Sequence, residues 1–127
     1  RAEGEPALDA YRIAIETGGR ARLSTLVAAA AVGQTRVEAS VRSQPDRALE
    51  LATVAQLAIA VAGQPPLLRG ELDLARARAS YINNDFDAGT AAARNATESF
   101  GQAGPEGQLR LGEGLQMLAI TTFGAGE

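Results

Sequence analysis

The chain has 127 residues, a formal net charge of −3, and no histidine, cysteine, tryptophan or lysine. Without histidine and cysteine it has no disulfides, thiol nucleophiles or Cys/His zinc sites, and it lacks the commonest general base near neutral pH. The acidic balance disfavours nucleic acids and anionic membranes as partners, and no apolar run approaches the roughly 20 residues of a membrane span. We therefore expect a cytoplasmic domain without metal or cofactor. Because the chain opens on Arg1, we expect a fragment of a larger protein.

Two helices are predicted in the first third of the chain. The first covers residues 6–18, where Leu8, Tyr11 and Ile15 recur at helical spacing until Gly18-Gly19 ends it. The second starts at Arg20 and continues to about Thr35 or beyond. We expect Gly33 to weaken this helix by about 1 kcal/mol relative to alanine without ending it.

A third helix is predicted to start at Ser43-Gln44-Pro45-Asp46, with Ser43 as its capping residue and Pro45 in its first turn. It runs to Ala62, and the Gly63–Pro66 segment then breaks the chain. The helix that follows ends at Asn83-Asn84-Asp85, where Asn tolerates a left-handed backbone and Asp85 caps the next helix.

The fifth predicted helix spans about Asp85 to Phe100, and Pro105 opens a sixth that ends near Phe123. No long stretch alternates apolar and polar residues with period two, so the predicted class is all-α with about six helices.

A spaced set of small residues occurs three times along the chain. Its members are Ala7-x2-Ala10…Gly18, Ala52-x2-Ala55…Gly63 and Ala93-x2-Ala96…Gly104. The periods between the glycines are 45 and 41 residues, a length typical of repeats built from two helices. Small side chains at this spacing let two helix axes approach closely. The set therefore predicts helix-packing positions, namely Ala48, Ala52, Ala55, Gly89, Ala93 and Ala96.

The segment Asn84-Asp85-Phe86-Asp87-Ala88-Gly89, followed by Ala93, Ala96 and Phe100, resembles the tetratricopeptide repeat (TPR). In that family a similar turn joins helix A to a helix B that carries small residues. The resemblance implies antiparallel hairpins stacked as a right-handed superhelix. On this reading residues 6–18 are a B-type helix of an earlier repeat, 20–62 and 66–103 are two repeats, and 105–123 is an unpaired A-type helix.

Several features depart from the family pattern. Both repeats exceed about 34 residues, and the turn at Ser43–Pro45 has no aromatic equivalent of Phe86. On length alone the periods also fit armadillo or HEAT arrays, and a generic helical bundle remains an alternative. The Arg/Ala-rich register and the Gly-Gly linkers resemble repeat regions of large modular bacterial signalling proteins that carry serine/threonine kinase or transcriptional-activator domains.

Little in the chain suggests catalysis. The run Asn83-x-Asp85-x-Asp87-x-Gly89 imitates the start of a calcium loop, but the position of the bidentate Glu is occupied by Arg94, so a capped turn is the simpler interpretation. The serines lack a histidine or lysine partner, and no phosphate-binding glycine motif follows a strand. We therefore do not expect an enzyme.

The remaining candidates lie on helix surfaces. If the hairpins stack, the fourth predicted helix presents a peptide-binding face formed by Arg69, Asp73, Arg76, Ser80 and Tyr81. The resulting hypothesis is a non-enzymatic protein-interaction scaffold, with a small-molecule sensor of an attached kinase or activator as the alternative. The sixth helix should also expose a stripe at Leu115, Leu118 and Ala119 that self-associates or recruits another segment.

Overall fold

The computed structural model describes residues 5–126, without the side chains at 5–8, 10, 11, 14, 15 and 17. The expected stripe of Leu8, Tyr11 and Ile15 lies outside the described side chains. Across residues 5–126 the regular structure is entirely helical, which confirms the predicted all-α class. The five α-helices are α1 (Glu5–Arg36), α2 (Pro45–Val61), α3 (Pro66–Ile82), α4 (Phe86–Gln102) and α5 (Pro105–Gly124).

The prediction of six helices is wrong, because α1 runs without a break through Gly18-Gly19. A helical glycine costs about 1 kcal/mol relative to alanine, which weakens a helix but does not turn it. By contrast, Gly63 lies in the turn between α2 and α3, and its φ of +87° is a left-handed conformation that favours glycine. The first two predicted helices are therefore one.

A π-helical turn (Val37–Val41) extends α1 at its carboxyl end. Its wider ring is closed by the Arg42 amide, which donates to the Val37 carbonyl oxygen at 2.9 Å. The predicted serine cap is also wrong: Ser43 has a φ of +50° and lies outside α2, whose N-cap is Gln44 without a side-chain hydrogen bond. Pro45 does occupy the first turn, as predicted.

The turn between α3 and α4 follows the sequence prediction. Asn84 adopts a φ of +60°. The Asp85 carboxylate accepts a hydrogen bond from the Ala88 amide at 3.2 Å, which satisfies one of the free donors at the start of α4.

Consecutive helices pack side by side, and α3 also contacts α1 and α5. Two core clusters join α1 and the π-helical turn to α2 and α3. The alanines that α2 buries in these clusters are Ala48, Ala52 and Ala55. A third core cluster is formed by α3, α4 and α5, and Phe100 is its largest fully buried side chain. Ala93 and Ala96 are fully buried in the same cluster. Small residues thus occupy the contacts, as close helix approach requires.

Charged side chains also join α3 to α5. Arg78 lies 3.1 Å from Glu113, and Arg110 lies 3.0 Å from Glu113 and 3.6 Å from Glu71. The Arg110–Glu113 pair lies within α5, whereas the partly buried pairs of Arg78 with Glu113 and of Arg110 with Glu71 link α3 to α5. Within residues 5–126, no helix has both the length and the hydropathy needed to span a membrane.

Candidate functional site

A polar groove lies between α2 and α4, with α3 as its floor, and we call it the α3 groove. Its volume is about 320 Å³. The lining residues are Gln56, Ile59, Gln64, Arg69, Leu72, Asp73, Arg76, Asn95, Glu98, Ser99 and Gln102. Three of the five residues predicted to bind a peptide are in this set, so the structure brings Arg69, Asp73 and Arg76 together.

These three residues share one face of α3 because they are spaced four and three positions apart. Arg76 lies 3.4 Å from the Asp73 carboxylate. The same guanidinium donates to the Ala52 carbonyl oxygen at 3.4 Å and to the Gln56 side chain. Arg76 therefore holds α3 against α2 on one side of the groove.

Arg69 makes the corresponding link to α4. Its guanidinium donates to the Gln102 side-chain oxygen at 2.7 Å. The Arg69 Nε atom is buried and has no hydrogen-bond partner among the described residues. The two arginines thus connect the floor of the groove to both of its walls, and the buried Nε donor of Arg69 is unused among the described residues.

Asp73 lies between the two arginines. Burial raises the pKa of its carboxyl group above the ordinary value, and the charges of Arg76 and Arg69 oppose that effect. Two guanidinium groups face a single carboxylate on the floor, while Glu98 contributes an acidic side chain from α4. The groove therefore offers both donors and acceptors.

The other two predicted binding residues lie elsewhere. Ser80 is buried, with only 5% of its surface exposed. Tyr81 is half exposed and packs edge to face against Phe86, with ring centroids 5.6 Å apart. Tyr81 belongs to an apolar hollow near the end of α5, which Phe123 also lines.

The sequence interpretation missed the carboxamide side chains of the groove. Gln56 comes from α2, while Asn95 and Gln102 come from α4 and are spaced seven residues apart. A side-chain carboxamide offers one donor group and one acceptor, which matches the peptide group. The spacing of seven residues in the sequence places Asn95 and Gln102 on one side of a helix. The sequence does not show which neighbouring helix lies beside them.

A buried carboxylate elsewhere was also missed. Glu38 lies in the π-helical turn with only 10% of its side chain exposed, 3.3 Å from Arg42 and 3.9 Å from Arg47. Both arginines pair with its Oε1 atom, whereas its Oε2 atom is buried and has no hydrogen-bond partner among the described residues.

Nothing in the described geometry forms a metal site. Across residues 5–126, no three carboxylates, histidines or cysteines come together as metal ligands. In the segment that imitates a calcium loop, Asp85 instead caps α4. Comparisons of the chain with protein-family models, with curated proteins and with solved structures each found no match.

Proposed function

We propose that this chain is a non-enzymatic protein-interaction scaffold that binds an extended peptide in the α3 groove. Its helices would form a TPR-like right-handed superhelix within a larger bacterial signalling or regulatory protein. The observation that carries the proposal is the groove itself, where two arginines, one partly buried carboxylate and several carboxamides face the same space.

The packing order supports the superhelix. Residue pairs such as Ala77 and Gly89 between α3 and α4, and Gly89 and Thr121 between α4 and α5, indicate antiparallel neighbours. The first, third and fifth helices contact one another in turn, whereas α2 and α4 do not meet within residues 5–126. Such alternation is expected when hairpins stack through one helix of each pair.

The chemistry of the groove supports a peptide ligand. Asn95 and Gln64 are exposed carboxamides at its edge, and both can donate to and accept from a peptide backbone. Ile59 and Leu72 supply a buried apolar floor for a ligand side chain. A mainly polar groove with a small apolar floor suits recognition by backbone hydrogen bonds and a few anchors.

The test is selection of peptides from a random library displayed against the full chain, followed by titration of the selected peptides against variants. Asn95→Ala removes a groove carboxamide that makes no hydrogen bond to the described residues, so it changes the ligand surface without loosening the helices. Loss of one or two hydrogen bonds should weaken binding about tenfold.

Arg36→Ala is the control, because Arg36 is exposed on α1 and does not line the groove. Arg76→Lys serves as a second groove variant. If the selected peptides bind Asn95→Ala, Arg76→Lys and the wild-type protein with equal affinity, the binding surface lies outside the groove. Failure to select any peptide with the folded chain would count against the scaffold function.

The second candidate is a small-molecule sensor, favoured by the groove volume. At about 320 Å³, the α3 groove falls at the lower end of the range for small-ligand pockets. A compound that binds there raises the melting temperature with no peptide present. Loss of that shift in Asn95→Ala would assign the effect to the groove.

A further inference from the structure

The amino-terminal part of α1 extends beyond the hairpin that it forms with α2. With 32 residues, α1 is about 48 Å long, whereas the 17 residues of α2 span about 26 Å. Among the described side chains of α1, burial begins at Ala28, and Ile13 and Leu23 are 58% and 61% exposed. We call residues 5–22 the arm.

The sequence of the arm has the pattern of a helix that covers another helix. Its Ala7-x2-Ala10…Gly18 set matches the sets of α2 and α4. In those helices the corresponding alanines, Ala52 and Ala55 in α2 and Ala93 and Ala96 in α4, are buried against neighbouring helices.

A matching face is uncovered on α5. Leu115, Ala119 and Phe123 follow one another at intervals of four residues, so they share one side of the helix. Leu115 is 49% and Phe123 is 85% exposed. With α3 and α4 packed on its other sides, α5 has a place for one more helix, whereas Leu118 already packs partly into the core.

The first half of the arm and the edge of this face of α5 carry opposite charges. Arg94 of α4 borders the hollow formed by this face of α5 and makes no ion pair with the described residues. The first 12 residues of the arm carry three carboxylates, Glu5, Asp9 and Glu16, and a single arginine, Arg12. Arg20 and Arg22 follow in the other half of the arm. The acidic half of the arm, laid on α5, would thus meet a cation at its edge.

From these observations we propose that the chain associates head to tail, with the arm of one copy packed on the Leu115, Ala119 and Phe123 face of a second copy. The arm then occupies on α5 the position that α4 occupies on α3. The contact joins two different surfaces, so it builds chains or closed rings. We expect a contact between one pair of helices to bury less than the roughly 800 Å² per partner of a standard interface. The affinity should therefore be low, and association should be detectable only at high protein concentration.

The test does not involve the peptide groove. It measures the association of variants of the 127-residue chain by analytical ultracentrifugation. Phe123→Glu places a charge on the face and leaves the arm intact. A double variant, Ala7→Glu with Ala10→Glu, places charges in the small-residue set of the arm and leaves the face intact. Ile15→Glu is the matched control, because the residue that corresponds to position 15 in α2, Ala60, is exposed.

We expect wild type and Ile15→Glu to form species larger than a monomer as concentration rises. The face variant and the arm variant should each remain monomeric with unchanged helicity. Mixed together, they should form a one-to-one dimer that grows no further, since each supplies the surface that the other lacks.

Three outcomes overturn the proposal. One is a wild-type chain that stays monomeric at its highest soluble concentration. Another is an arm variant that still associates, which would indicate contact between two α5 faces. The third is a mixture of the two variants that remains monomeric although wild type associates.

Discussion

Gly107 in α5 lies against the backbone carbonyl of Phe100 in α4, so closely that a β-carbon at position 107 would overlap the carbonyl oxygen. The obstacle is backbone and cannot rotate away. We expect Gly107→Ala to force α4 and α5 apart and to lower the free energy of unfolding by about 2 kcal/mol or more. Chemical denaturation monitored by circular dichroism measures the change.

Gly112→Ala is the control in the same helix. A β-carbon there meets nothing within 4 Å, so the substitution should raise the free energy of unfolding by up to about 1 kcal/mol. Equal effects of the two substitutions would show that α4 and α5 are not in close contact at Gly107.

The alanines of α4 should differ sharply in their tolerance of larger side chains. Ala93 is fully buried between helices, whereas Ala91 is exposed. Ala93→Leu should lower the free energy of unfolding by about 1–3 kcal/mol because the helices must separate. Ala91→Leu should leave the melting temperature nearly unchanged, and similar losses in both variants would contradict the packing described for α4.

Asp73 should make stability depend on pH. Burial raises the pKa of its carboxyl group in the folded protein, so on acidification the folded state takes up this proton before the unfolded state does. The stabilising contribution is complete below the unfolded-state pKa and is lost as pH rises through the folded-state pKa. The side chain of Asn in Asp73→Asn does not titrate, so this variant lacks that pH-dependent contribution.

The difference in free energy of unfolding between wild type and Asp73→Asn should therefore shift in favour of wild type as pH falls from neutral into the acid range. Urea denaturation of both proteins across that range provides the measurement. A difference that stays constant with pH would mean that the carboxyl group is not effectively desolvated.

The glycines inside α1 should limit its helicity. Neither Gly18 nor Gly19 has a β-carbon site within 4 Å of another residue, so alanine fits at both positions. We expect each substitution to stabilise the helix locally by up to about 1 kcal/mol, visible as slower amide hydrogen exchange around position 18. Faster exchange after either substitution would indicate that α1 needs a flexible joint there.

Helix ends marked by local chemistry could be predicted from the sequence. Pro45, Pro66 and Pro105 each lie at the start of a helix, and Asp85 caps α4. The continuity of α1 could not be predicted, because a glycine pair is compatible with both a turn and a weakened helix, and neighbouring packing decides between them.

The candidate site was predictable only in part, for a similar reason. The spacing of Arg69, Asp73 and Arg76 places them on one face of a helix. Which neighbours flank that face depends on how α2 and α4 pack around α3. The same packing buries Ser80 and separates Tyr81 from the groove, and helical periodicity alone does not contain that information.

The central position of α3 affects how the chain unfolds. It is the one helix that contacts all four others within the described residues. In a long array, distant units can melt independently because they share no neighbour. Here every pair of helices is linked through a common member, so this connectivity favours a single sigmoidal unfolding transition of the packed helices, from Ala28 onward.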